Sequence, residues 1–186
     1  MSSTGAFFDS FEEMFLKYIG QREESLSPGA TFPGMTSKPR HNKNFIRLCK
    51  SDPRAIVYPN FFANSAGRNA TFEPTAAEYQ SYASVSKNAT ATEWDVVETV
   101  LGNGIWQLKN KTQIQFAVPG GASTGCTLTH AILCFQGDLG GIFSTIDHYG
   151  ILAAELSSDI IIPNGGGGSG PLIDVGELVF GEATFA

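Results

Sequence analysis

The sequence predicts a mainly β protein, an antiparallel β-sandwich or barrel of about eight strands with one N-terminal amphipathic helix and an extended arm. Short segments in which apolar and polar residues alternate recur between close turn signals, which is typical of such folds. One segment alone shows strong helical spacing of apolar residues. A length of 186 residues corresponds to one domain. We expect a helix over residues 1–20, an arm over 21–44 and a β-sandwich domain over 45–186.

The composition excludes several classes of protein. With 42% hydrophobic residues and a net charge of −6, the chain can bury a core, which excludes disorder. Its 12 Lys and Arg residues form no run that could neutralise a phosphate backbone, so we expect no nucleic-acid partner. No apolar window is long enough to span a bilayer, and the N-terminus lacks the order of a signal peptide. We expect a soluble, unprocessed protein with no membrane partner.

Charged residues make up 16% of the chain, where roughly 25% is usual. Such a low share predicts a surface poor in charge. We therefore expect much of this surface to be buried against other copies of the chain or against other proteins.

The predicted helix covers Phe7 to Ile19. Its apolar residues recur at spacings of three and four, and Asp9, Glu12 and Lys17 lie on the other side. Gly20 is expected to end it. A helix of about 13 residues is marginal in isolation, so it must dock. Two alternatives remain open: docking onto its own β-domain, or packing into another subunit.

The following stretch, over residues 20–44, is rich in proline and glycine and has no apolar periodicity. We interpret it as an extended arm or long loop, and loops of this length often lie along a partner. The candidate partner-binding residues of the helix and the arm are Phe7, Phe8, Phe11, Phe15, Tyr18, Pro28, Phe32 and Pro33.

From residue 45 onward the pattern is that of β-strands. The clearest runs from Thr112 to Val118, where Ile114, Phe116 and Val118 should share the buried face. Residues 60–75 are expected to be a loop, and the glycine run from Gly165 to Gly168 the tip of a hairpin. The other predicted strands are 45–49, 55–58, 82–86, 105–108, 127–135, 142–146, 150–156, 159–162 and 177–180.

No set of residues forms a catalytic or metal-binding motif. His41, His130 and His148 lack a second ligand at metal spacing, and Asp147 beside His148 has no accompanying nucleophile motif. The glycine runs lack the Lys-Ser or Lys-Thr of a phosphate loop. We therefore expect no enzyme, no metal and no cofactor. A hydrolase would require a histidine and a carboxylate to converge in a cleft.

The three cysteines are expected to be buried free thiols in a reducing compartment. Cys126 and Cys134 lie at the two ends of one predicted strand, roughly 26 Å apart, and cannot form a disulfide. Pairing of Cys49 with either one stays open.

Aromatic residues suggest one further alternative, a platform on which sugars stack. In a small β-domain such residues more often belong to the core or to an interface. The residues concerned are Tyr79, Tyr82, Trp94, Trp106 and Tyr149.

The order of several segments resembles that of a family of small virion proteins of tailed bacteriophages, in which a short amphipathic helix precedes a compact β-sandwich and which are often labelled tail fibre or structural proteins. The opening FFDSFEEMFLKYIG is similar to the leading helix of that family, and NFIRLCKSDP to its first strand. The later segments, in chain order, are EYQSYASVSKNATATEW, NKTQIQFAV, TLTHAIL with Thr129 and His130, Gly140 and Gly141, YGIL and GELVF.

The resemblance covers most of the chain from residue 6 to residue 181. Ser84 stands where the family commonly has arginine, and 20–44 and 59–78 look like insertions. It implies a non-enzymatic structural subunit of a phage virion, present in many copies as a homo-oligomer. Its partners would be other virion proteins, the major capsid protein or tail proteins. We favour a capsid decoration, cement or head-attached protein. The alternative is a tail fibre or tail-associated adhesin that binds host surface glycans.

Overall fold

The structure, a computed structural model, describes residues 13, 15–21, 43–55, 62–64, 69, 71–99, 106–136 and 147–181. Within these ranges it contains one α-helical segment, α1, over residues 13 and 15–21, one short 3-10 helix, Pro53–Ala55, and ten strands, which confirms the mainly β prediction. The strands are β1 (Lys43–Cys49), β2 (Phe62–Asn64), β3 (Val85–Asn88), β4 (Trp94–Glu98), β5 (Trp106–Asn110), β6 (Ile114–Gln115), β7 (Cys126–Gln136), β8 (Asp147–Ile162), β9 (Leu172–Ile173) and β10 (Val179–Phe180).

The strands form a five-stranded sheet in the order β2-β8-β7-β1-β3, a three-stranded sheet in the order β10-β5-β4, and the two-stranded ribbon β6-β9. All strand pairs are antiparallel. Alternation along each strand directs one set of side chains inward, where Ile46 and Leu48 of β1 meet residues such as Leu108 of β5 in one apolar core. The layers are those of a β-sandwich.

The helix docks onto its own domain, the first of the two alternatives. Leu16, Tyr18 and Ile19 are buried in the core. At Gly20 an added Cβ atom would lie 2.3 Å from a methyl carbon of Leu108, so the Leu108 side chain would have to shift to admit a larger residue. The helix continues through residue 21, one residue beyond the expected end at Gly20.

The outer face of the five-stranded sheet carries a second, smaller core. Phe72 packs there against Cys49, Ile132 and Cys134. The segment that carries Phe72 is tied down by the hydrogen bond from Lys50 N to Phe72 O, at 2.7 Å. The central sheet is therefore covered on both faces at this point.

Several sequence predictions differ from the structure in extent. The strand expected over 112–118 is reduced to Ile114–Gln115, and Val118 is 52% exposed although it was expected on the buried face. The reason lies in the partner: Phe116 N donates to the carbonyl oxygen of Pro171, which precedes β9, but Pro171 has no N–H to return a bond, so the ribbon ends there. Residues 82–86 form a strand only from Val85 onward.

Other strands were missed or divided. The strands β4 and β9 were not predicted, and β2 lies inside the predicted loop over residues 60–75. The two strands expected over 150–156 and 159–162 are one strand, β8, with an irregularity in its pairing to β7. The predicted strand over 142–146, residues 56–58 of another, and residues 22–42 of the arm lie outside the described residues.

Candidate interaction surface

Three loops converge at one end of the sandwich, and we call them together the loop platform: residues 76–83, 117–125 and 163–171. Thr124 N donates to Ala77 O at 2.7 Å and Gly125 N to Glu78 O at 3.2 Å, which joins the first two loops. Gly165 N donates to Ser123 O at 2.8 Å, which joins the second and third. Side chains add to these bonds, since Tyr79 Oη donates to Ala117 O and Ser81 Oγ to Val118 O.

The glycine run is therefore part of this structure and is not the tip of a hairpin. β8, which precedes it, pairs with β7 and β2, whereas β9, which follows it, pairs with β6. Gly167 N also bonds to Pro119 O at 3.0 Å. The prediction of a hairpin tip was wrong because the run crosses from one sheet to the other.

Gly166 and Gly170 of the loop platform are required by close backbone contacts. A Cβ atom at Gly166 would lie 1.9 Å from Gly120 O, and one at Gly170 would lie 2.1 Å from Phe116 O. At Gly165, Gly167 and Gly168 the requirement is conformational, because φ lies between 76° and 85° and an added Cβ would meet nothing within 4 Å. These three glycines leave bare backbone at the surface.

The exposed residues of the loop platform are small and uncharged. Ala, Gly, Val and Pro predominate, and the others are Gln, Ser, Thr and Asn. The nearest charge within the three loops is Glu78, which is half-buried and paired with Lys50 Nζ at 2.8 Å. The sixteen exposed residues are Ala76, Ala77, Gln80, Ser81, Ala83, Ala117, Val118, Gly121, Ala122, Thr124, Pro163, Asn164, Gly165, Gly167, Gly168 and Ser169.

The opposite end of the sandwich is different, and we call residues 87–93, 109–113 and 174–177 the charged end. Strand β1 runs from one end to the other. Its first residue, Lys43, pairs with Asn88 of the charged end. Lys50, one residue after the end of β1, forms an ion pair with Glu78 of the loop platform. The two ends are thus separated by a strand of seven residues, roughly 20 Å. The charged end holds Lys87, Glu93, Lys109, Lys111, Asp174 and Glu177.

A buried ion pair anchors the first loop of the platform. Arg47 Nη1 lies 2.9 Å from both carboxylate oxygens of Glu73, and both side chains are almost fully buried. Glu73 also accepts from Tyr82 Oη at 2.7 Å and from Asn69 N at 2.6 Å. The Glu73 carboxylate therefore has four hydrogen bonds, which offset the cost of burying its charge. Desolvation and the charge of Glu73 raise the pKa of Tyr82 well above its ordinary value, so its hydroxyl stays a donor.

The two histidines that the structure describes, His130 and His148, lie far apart in the five-stranded sheet. His130 lies in β7, where its Nδ1 atom and Thr129 Oγ1 are 2.8 Å apart. The nearby Asp52 carboxylate is held by Arg54, whose hydrogen bonds lower its pKa, and it does not orient His130. His148 pairs with Gln136, six residues from His130 along β7, which separates the two Cα atoms by roughly 20 Å. His41 lies outside the described residues.

The cysteines are free thiols, as predicted. Cys49 and Cys134 are buried, and burial raises the pKa of both thiols far above the ordinary range. Cys126 is half-buried, although it was expected to be fully buried, and desolvation raises its pKa to about 11. All three thiols are therefore protonated at neutral pH.

The predicted partner-binding residues fall into two groups. Tyr18 is buried in the core of its own chain and Phe15 packs half-buried against that core, so neither ring is a free surface. The others lie outside the described residues: Phe7, Phe8, Phe11, Pro28, Phe32 and Pro33.

The four aromatic candidates whose side chains are described do not form an exposed row. Trp94 and Tyr79 are fully buried and Tyr82 is 6% exposed. Trp106 is half-buried, with Lys17 Nζ 6.0 Å from its ring centroid. The side chain of Tyr149 is not among those described.

One shallow depression lies away from the loop platform, on the five-stranded sheet. It has a volume of about 150 Å³ and is lined mainly by the backbone and apolar side chains of residues 150–153, with Pro53, Arg54 and Ile132. It is well below the 300–1,000 Å³ of typical small-molecule sites. Its lining includes no carboxylate, histidine or cysteine.

Neither a protein-family model, nor a curated protein, nor a solved structure matches this chain. Across the described ranges, no cluster of three or more His, Cys, Asp and Glu residues is arranged to hold a metal ion. No helix in that part of the chain has the length and apolar character to cross a bilayer.

Sequence reasoning did not identify the loop platform. The relevant signal in the sequence is composition: residues 117–125 and 163–171 contain only Gly, Ala, Ser, Thr, Val, Pro and Asn. Composition alone is equally typical of flexible linkers. Only the hydrogen bonds between the loops distinguish a rigid surface from a linker.

Proposed function

We propose that this chain is a non-enzymatic structural subunit of a bacteriophage virion, a capsid decoration, cement or head-attached protein that packs against neighbouring virion proteins. The observation that carries the proposal is the loop platform, a rigid, uncharged surface of small residues. Its partners would be the major capsid protein or tail proteins, together with other copies of the chain.

The loop platform is a surface that costs little free energy to bury. Small uncharged residues lose little hydration and little side-chain entropy when a partner covers them. The loops are already held by backbone hydrogen bonds, so association requires little further ordering. A subunit that is present in many copies gains from such a surface, because each contact repeats at every neighbour. The family resemblance of the sequence supports the same role.

The predicted arm and the first part of the helix remain candidates for further contacts. A deletion of residues 1–44 would remove these contacts but would also disturb the fold, because Leu16 and Ile19 belong to the core of the domain. A shorter deletion, of residues 1–10, leaves these core residues in place and is the better variant.

The glycan-binding alternative has less support. A sugar-stacking platform needs exposed aromatic faces beside polar groups, and three of the five candidate rings are buried. The loop platform itself exposes no aromatic residue.

The test is to find the chain in particles. Phage particles from an infected host are banded by density, separated into heads and tails, and probed with an antibody against the purified chain. We expect the chain to co-purify with heads in many copies, and a reconstruction to place it against neighbouring subunits. Recovery of the chain only from the soluble lysate would contradict the proposal, and recovery with tails would reject the head location.

A further inference from the structure

We infer that the loop platform is a self-complementary contact, through which two copies of this chain pack platform to platform about a two-fold axis. The inference deepens the proposed function, on which it rests for the biological need for neighbouring copies. The pairing itself is a property of the isolated chain. It therefore can be tested without any particle.

The first step concerns the charge of the partner. A charged group that faced the loop platform would lose hydration, and none of the sixteen exposed residues could supply a counter-charge. The partner surface must therefore be uncharged as well. It must also be flat, because the Ala and Gly residues of the loop platform project little beyond the backbone.

The second step is that a copy of this chain offers such a surface. Elsewhere the described surface bears charges: the charged end has six, and the outer side of the five-stranded sheet has Asp52, Arg54 and Glu155. Among the described residues, the loop platform is the surface that meets the requirement. A two-fold axis places the same patch of both copies in contact, which is the commonest symmetry of protein oligomers.

The third step concerns hydrogen bonding and approach. Gly165, Gly167 and Gly168 have no side chains to hold two backbones apart, and an added Cβ at each would point into open space. Exposed polar side chains of the loop platform, such as those of Asn164 and Ser169, can pair across the axis. Close backbone contact between small residues is thereby combined with a few polar bonds, as in interfaces between protein subunits.

The size of the surface sets the expected strength. Standard interfaces use 20–30 residues a side, so sixteen residues correspond to roughly 1,000 Å² of total buried area, near the lower limit for a specific contact. We expect a weak dimer with a dissociation constant on the order of micromolar or weaker. In a particle, further contacts of each copy would strengthen it through effective concentration.

Two exposed valines provide a matched test. Val118 on the loop platform is 52% exposed and Val175 at the charged end is 58% exposed. The full chain, Val118→Glu and Val175→Glu are compared by sedimentation equilibrium from about 10 µM to about 1 mM. We expect Val118→Glu to weaken the dimer at least about tenfold and Val175→Glu to change it less than about twofold. Thermal unfolding should be unchanged in both, because both side chains are exposed.

A second measurement does not depend on the folding of a charged variant. Single cysteines are introduced as Ala77→Cys, Ala122→Cys and Ser169→Cys on the loop platform, and as Thr92→Cys at the charged end. A residue near a two-fold axis meets its own copy, so at least one platform variant should form a disulfide-linked dimer under mild oxidation, and the Thr92 variant should not. The native thiols compete little, because they are buried or half-buried and protonated.

The outcomes separate the two proposals. A chain that stays monomeric at about 1 mM, or for which Val175→Glu weakens the dimer as much as Val118→Glu, overturns the pairing. A chain that pairs through the loop platform but is absent from particles contradicts the proposed function and leaves the pairing established.

Discussion

The loop platform and the charged end differ both in charge and in the kind of bond that holds their loops. The platform loops are joined by backbone hydrogen bonds between segments, such as Gly165 N to Ser123 O, by uncharged side chains such as that of Ser81, and by glycines that allow close approach. The charged end is joined mainly by side chains, with Asn110 at its centre and the Lys87–Glu93 pair at its surface.

The two ends are therefore suited to different surroundings. Side chains that hold a loop must project from it, so the charged end presents hydrated charges that oppose close packing. Backbone hydrogen bonds do not require large side chains, so the loop platform is rigid and exposes only uncharged, mostly small residues. A surface of that kind is suited to contact with another subunit.

The strongest test of the comparison is removal of the buried carboxylate that anchors the platform. Glu73→Ala leaves the guanidinium of Arg47 buried without its partner, and we expect a loss of about 3–5 kcal/mol in the free energy of unfolding, measured by denaturant titration. As a control, Arg47→Met combined with Glu73→Leu removes both charges and should recover most of the loss. A loss below about 1 kcal/mol for Glu73→Ala would show that the pair does not anchor this end.

The second test concerns the glycines of the third loop. Gly170→Ala places a Cβ atom 2.1 Å from Phe116 O, so backbone must shift, and we expect a loss of about 3 kcal/mol in stability. Gly167→Ala meets no atom within 4 Å and has only the cost of its φ of 83°, about 1–2 kcal/mol. Thermal unfolding of the two variants measures the difference. Equal losses would mean that the loops are not closely packed.

The third test disrupts the charged end at Asn110. Its buried amide donates to Thr112 O at 3.0 Å and to Asp174 O at 2.7 Å, and accepts from Leu178 N at 2.9 Å. Asn110→Ala leaves these groups without their partner, and we expect a loss of about 2 kcal/mol in the free energy of unfolding. Hydrogen exchange should rise in residues 174–178 and stay unchanged in 163–171. Increased exchange at both ends would contradict their independence.

The smallest effect is expected from the surface pair of the charged end. Burial raises the pKa of Glu93, but hydrogen bonds from Thr112 and Lys87 outweigh it, and the net pKa lies below its ordinary value of 4.5. A carboxylate with a lowered folded pKa stabilises the fold above pH 4.5, and the contribution is lost as pH falls through the folded pKa. Glu93→Gln should therefore lower stability by about 1 kcal/mol or less at pH 7, and the difference should vanish at low pH.

Thermal unfolding of the parent and Glu93→Gln across this pH range checks that prediction. Val118→Glu serves as the matched variant of the platform, because it adds a carboxylate without a partner and should show no such loss on acidification. A difference between Glu93→Gln and the parent that persists below the folded pKa would contradict the assignment.

Local patterns predicted those parts of the fold that depend on local residues. The helix was identified from its spacing, and β1 and β7 from alternation, each within two residues of the observed ends. β4 was missed although Trp94 is fully buried, because the pattern of Trp94–Glu98 does not alternate clearly: Asp95 and Glu98 flank two valines that are both half-buried. Its place as a strand depends on pairing with β5, which lies beyond any local window.

Alternation, helical spacing and composition are properties of neighbouring residues, so they suffice to predict the mainly β class, the N-terminal helix and the free thiols. Where the uncharged residues gather depends on contacts between distant parts of the chain. Ser123 and Gly165 are joined by one hydrogen bond across 42 positions, and Ala77 and Thr124 across 47. These bonds form only because the register of the two sheets brings the loops together and because Gly166 and Gly170 let their backbones lie in contact. Together these features join the three loops into one rigid surface.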